Sequence, residues 1–185
     1  MAEIRKGSFS LNIGIAKLSA ELSEEDRQCA WELYTEIATR SSVTGKRGDD
    51  ECRNFEGELL IESLNSLYSF FTECRQIMRK FPVGRIKDDN QKHLGCVIHD
   101  LLAHVLRPFL EKWQIDFREW WSGDEERELG PFDRQRKYPK YDDMMEDWSE
   151  VRKTVRSLER ALIKEYKLID LEGPYGERKN EGQVI

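Results

Sequence analysis

Residues Leu60–Phe81 read LIESLNSLYSFFTECRQIMRKF, and the spacing within this stretch decides the fold. Leu60, Leu64, Leu67, Phe71, Cys74, Met78 and Phe81 recur at alternating steps of four and three. That is the heptad of a helix laid against a partner along one seam. Ile61, Tyr68 and Ile77 widen the apolar surface, so the helix meets more than one neighbour. Pro82 ends it, because proline restricts the residue before it and offers no N–H. A second seam runs through Tyr141, Met144, Trp148, Val151, Val155, Leu158 and Leu162, with steps of three and four. Two such seams in one chain predict helices packed at a shallow angle, knobs into holes.

Two further helices flank these. Ser23 is a hydroxyl N-cap, and Glu24, Glu25 and Asp26 suit the positive end of a helix dipole. Ala30, Leu33, Tyr34 and Ile37 then form an inward stripe bordered by Trp31. The stretch SSVTGKRGDDE that follows breaks the period and reads as a loop. The third helix spans Asn90 to Trp121, with Leu94, Val97, Ile98, Leu101, Leu102, Val105, Phe109 and Trp113 in a broad apolar arc. Pro108 interrupts it, and its ring opposes the carbonyl four residues earlier, so a kink or break is expected near His104. SGDEERELGPFDRQRKYPKYDD reads as a long polar connection.

The expected fold is all-α: an antiparallel four-helix bundle with a kinked third helix. One short N-terminal strand accompanies it. In Ser8–Ala16, Phe9, Leu11, Ile13 and Ile15 alternate with smaller or polar residues at a strand's period of two. A lone strand leaves its backbone donors and acceptors unpaired. Its only mate in the chain is Tyr166–Leu171, YKLIDL, which would give a small β-ribbon; otherwise it pairs with another chain. Residues 1–172 are expected to form a single helical domain, and 173–185, with almost no apolar content, a mobile tail.

The 185 residues suffice for a core without disulfides or metals. A net charge of −6 argues against a dedicated nucleic-acid or anionic-membrane binder. No apolar run approaches the roughly 18 residues needed to cross a bilayer, and no secretory leader is evident, so a cytoplasmic protein is expected. Cys29, Cys52, Cys74 and Cys96 form no C-x-x-C pair and read as free thiols of a reducing compartment.

All three histidines, His93, His99 and His104, fall in NQKHLGCVIHDLLAH. On a regular helix at about 100° per residue, His99 and His104 point about 140° apart, and His93 lies roughly 16 Å along the axis from His104. Three imidazoles so placed cannot meet at one ion. Cys96, Asp100 and His104 share one polar edge, where Asp100 is positioned to pair with His104.

Enzyme motifs find little support. The bundle shape resembles helical ribonucleases of the HEPN type, but their Arg-then-His spacing is absent; the nearest approach is Arg85 to His93. All-α nucleotide pyrophosphohydrolases hold magnesium with paired carboxylates. Here Glu58 with Glu62 and Asp143 with Glu146 give a partial match. With Asp100 and His104, these are the weak catalytic candidates. No cofactor and no metal site is expected.

Arg79, Lys80 and Arg85, then Arg134, Arg136 and Lys137, lie beside aromatic residues, which makes them weak candidates for contacts to nucleic acid. Trp120 and Trp121 point about 100° apart, so one is either covered by the polar connection or exposed as a contact. The leading expectation is a non-enzymatic interaction module whose candidate contacts are Phe9, Leu11, Ile13, Ile15, Trp120 and Trp121. Its partner would be a protein or a second copy of the chain. It would serve as an assembly or regulatory subunit of a multi-component prokaryotic system, such as toxin–antitoxin or phage defence. The alternatives are a nucleotide- or RNA-hydrolysing bundle and a nucleic-acid-binding accessory protein.

Overall fold

The computed structural model describes residues 24–80 and 94–171, and they are all-α. The elements are α1 (Glu24–Ala38), α2 (Ser41–Thr44), α3 (Leu60–Lys80), α4 (Leu94–Asp100), a π-helical turn (Leu101–Leu106), α5 (Arg107–Ser122), α6 (Pro131–Gln135) and α7 (Tyr141–Tyr166). No strand occurs among the described residues. Ser8–Ala16 lies outside them, as do His93, Arg85 and residues 172–185.

The predicted stripe of α1 is buried: Ala30, Leu33, Tyr34 and Ile37 have no exposure, and Trp31 sits at its edge. In α7 the seam from Met144 through Trp148, Val151, Val155 and Leu158 to Leu162 is likewise buried. α1 packs against α3 and α7, and α3 packs against α4, the π-turn and α5. Lys80 bonds Glu32 at one end of the α1–α3 pair and Arg40 reaches the Ser66 carbonyl at the other, so these helices run antiparallel.

In α3 the seam differs from expectation in its second half. Phe70 and Ile77 are buried, whereas Phe71 and Met78 are half-buried. Leu60, Leu67 and Cys74 hold one edge of the stripe, and Ser63, Phe70 and Ile77 hold the other. The stripe is turned because α3 is covered from two sides, by α1 and α2 and by the helix that begins at Leu94.

Three segments read as polar or extended contribute to the interior. Ser41–Thr44 is a short helix, not loop; it lies between α3 and α7 and buries Ser42, Val43 and Thr44. The 122–143 connection contains α6 and buries Arg134, Gln135 and Tyr138. Tyr166–Leu171 is not a strand. α7 runs to Tyr166, Lys167 adopts the left-handed conformation at φ 53°, and the Leu168 N–H returns to the Ile163 carbonyl. That is a helix C-cap closure. The Leu171 N–H then donates to the Tyr34 hydroxyl at 2.6 Å, so the stretch is tied back onto α1.

The feature expected near His104 takes the form of a widened turn. Arg107 N–H donates to the Leu102 carbonyl, five residues back rather than four. Pro108 occupies the first turn of α5, where its missing N–H costs least. α4 and α5 continue on either side of the wide turn.

Candidate functional site

Two polar constellations stand out, one inside the molecule and one on its surface. The inner one centres on Arg152, a charged residue with no exposed surface. Its position on α7 explains this: Arg152 lies four residues after Trp148 and one after Val151, on the margin of the buried seam. Its Nη2 donates to Glu58 Oε2 at 2.7 Å and its Nε to the Ser42 carbonyl at 3.3 Å. The guanidinium lies over the Phe55 ring, 4.0 Å from the centroid, with Trp148 at 5.5 Å. Burial pushes the Arg152 pKa down and the Glu58 carboxylate beside it pushes back; a guanidinium starts high enough to remain charged.

The chain folds around this cation. Trp148 Nε1 donates to the same Ser42 carbonyl at 2.8 Å. That oxygen belongs to the last turn of α2, whose carbonyls lack partners within the helix. Ser63 Oγ donates to Glu58 Oε2 at 3.1 Å. Gln135 closes the start of α3 by accepting from the Leu60 N–H and donating to the Glu58 carbonyl, both at 2.9 Å. Gly45 has φ 75°, which favours glycine, and a Cβ there would press on Arg152 Cδ at 3.3 Å. One turn along α7, Arg156 binds the carbonyls of Lys46 and Asp49. Glu58 Oε1 and Arg152 Nη1 are buried without hydrogen-bond partners, which makes the cluster a half-satisfied one.

The acids proposed from sequence are not assembled into a centre. Glu58 is inside, against Arg152, while Glu62, Asp143 and Glu146 are exposed. Among the described residues no group of three or more His, Cys, Asp or Glu side chains is placed to hold a metal ion. Asp147, from the same acidic run as Asp143, accepts from Lys112 at 2.7 Å and from Trp113 Nε1 at 2.9 Å, pinning α7 to α5.

The outer constellation corrects the straight-helix geometry. His99 and His104 do not diverge: their rings meet edge to face with centroids 6.4 Å apart. In a π-turn, residues five apart stand one above the other, and this turn begins between the two. His99 Nδ1 lies 3.5 Å from Asp100 Oδ1. Both histidines are exposed. Cys96, a turn earlier, is half-buried.

Trp120 and Trp121 are half-buried beneath the 122–143 connection. Both pack on Phe117, and Tyr138 meets Phe117 edge to face and Trp120 at a tilt. Arg134 is buried, with its guanidinium 4.7 Å from the Trp121 ring and its nitrogens donating to the carbonyls of Gly123 and Glu125. Arg136 and Lys137 are exposed, as are Arg79 and Lys80 at the end of α3, where Lys80 pairs with Glu32.

Arg152, Gln135 and the π-turned histidine pair are the residues that sequence reasoning missed. For the histidines the signal was Pro108 itself; Arg152, set among Glu150, Lys153 and Arg156, carried none. No protein-family model matches the chain, and comparisons with curated proteins and with solved structures find no match.

Proposed function

We propose that this chain is a non-enzymatic helical interaction module, an assembly or regulatory subunit that docks onto a protein partner or a second copy of itself. Its framework is an antiparallel four-helix bundle: α1, α3, the helix from α4 to α5, and α7. In support, α1 touches α3, α3 touches α5, α5 touches α7 and α7 touches α1, which closes a ring of four.

The observation that carries the reading is a pair of exposed apolar side chains on the adjoining helices α3 and α5. Tyr68 is 52% exposed and Ile115 66%. Arg118 on α5 bonds Asn65 on α3. Tyr68 and Ile115 each lie about one turn from this bond, in the same direction along the two antiparallel helices. Phe71 stacks on Tyr68 at 6.5 Å with the rings nearly parallel. Exposed aromatic and aliphatic side chains grouped in this way favour a contact surface.

The burial of Glu58 against Arg152, away from the exposed Glu62, Asp143 and Glu146, weighs against the hydrolytic reading. The test is the intact mass of the native complex from the source cell, repeated with Tyr68→Glu and Ile115→Glu. A defined stoichiometry that collapses in the two variants supports the module. A lone chain of 21.9 kDa with no companion contradicts it.

A further inference from the structure

We propose that His99 and His104 form a two-imidazole site for a borderline divalent transition-metal ion, Zn²⁺, Ni²⁺ or Cu²⁺, on the outer face of the π-turn. Imidazole nitrogen is a favoured ligand for these ions, and carboxylate-preferring magnesium and calcium are excluded by the donor type.

Three observations converge on the pair. First, the backbone is re-registered where it matters. The π-turn Leu101–Leu106 brings His104 beside His99, with ring centroids 6.4 Å apart, although an unbroken α-helix would separate them. Single π-turns of this kind are frequent at functional sites. Second, both rings are exposed, so neither is part of the core and an ion reaches them without any opening of the fold. Third, Asp100 Oδ1 faces Nδ1 of His99 at 3.5 Å. A carboxylate beside one ring nitrogen fixes the tautomer and leaves Nε2 as the ligand.

The remaining distance is small. Two imidazoles bound at about 2.1 Å to one tetrahedral ion have ring centres about 5 Å apart. Closing from the observed separation is a matter of side-chain rotamers, and exposed histidines have that freedom. No third side chain among the described residues completes the set, so water holds the other positions. The site is therefore open and exchangeable, unlike a closed structural zinc centre.

Titration of the purified full-length chain with NiCl₂ at pH 8, followed calorimetrically, tests this. The Cu²⁺ form gives a second readout in the nitrogen splitting of its electron paramagnetic resonance spectrum. The expected result is about one equivalent bound with two-nitrogen ligation. His99→Ala and His104→Ala should each weaken binding at least about tenfold, the lower end of what a single supporting group is worth at such sites. His93→Ala should leave it unchanged. Both tested side chains are exposed, so the variants should keep the helical circular dichroism of the parent. Binding that survives in the His99→Ala, His104→Ala double variant, or that is lost in His93→Ala, would overturn the assignment.

Discussion

α7 and the helix running from α4 to α5 are the two longest rods among the described residues, and they treat polar residues in opposite ways. In α7 every turn is α-helical from Tyr141 to Tyr166, and its seam carries a charge, Arg152, into the interior. The other rod changes its hydrogen-bond step between Leu101 and Leu106 and presents two histidines outward, side by side. An apolar period reports which face turns inward, provided the step stays at four residues. Where a proline withdraws an N–H, the inward face is still legible, but the outward face is displaced.

The steepest test of this contrast is at the buried charge. Arg152→Ala leaves Glu58 buried and unpaired, and should cost about 3–5 kcal/mol, read as a shift of the urea midpoint at unchanged slope. A proline placed where α7 is regular comes next. Ser157→Pro removes one helical hydrogen bond and clashes with the Lys153 carbonyl, at a cost of about 3 kcal/mol or more. The reverse change in the other rod should be mild. Pro108→Ala breaks no native hydrogen bond, because the wide turn already accommodates the ring, and the loss should stay near 0.4–1 kcal/mol from the freer unfolded chain. If the two proline changes cost alike, the contrast between the rods is wrong.

The legible part of the fold follows from the same physics. The stripes of α1 and α7 are readable because uninterrupted helices repeat their buried positions. Arg152 was not readable as a core residue, since an arginine among Glu150, Lys153 and Arg156 looks like part of a solvated face. Its burial depends on Glu58, Ser42 and Phe55, residues far away in the chain that only the fold brings to it. α2, Gln135 and Tyr138 were hidden for the same reason: each is polar or short in sequence and is buried by partners distant along the chain. Of the candidate site, the Cys96–Asp100–His104 edge was visible, but the pairing of His99 with His104 required the π-turn.

The smallest expected effect concerns how α5 holds the 122–143 connection. Asp116 bonds Lys140 and the Tyr138 hydroxyl, and both lower its pKa, the lysine more. Such a carboxylate stabilises the fold at any pH above its unfolded value of about 3.9. That contribution is lost as the pH falls through the lowered folded value. Asp116→Asn should therefore be slightly less stable than the parent at pH 7, and the two melting curves should converge in acid. A difference that persists unchanged into acid would place the effect elsewhere.

The central claim is that Glu58 serves as the structural partner of the buried Arg152. A double-mutant cycle on Arg152→Met and Glu58→Leu measures this directly. The account predicts that each single change costs several kcal/mol, as expected for stranding one buried charge, and that the double variant recovers much of the loss. Additive losses, with Glu58→Leu alone leaving stability untouched, would contradict it.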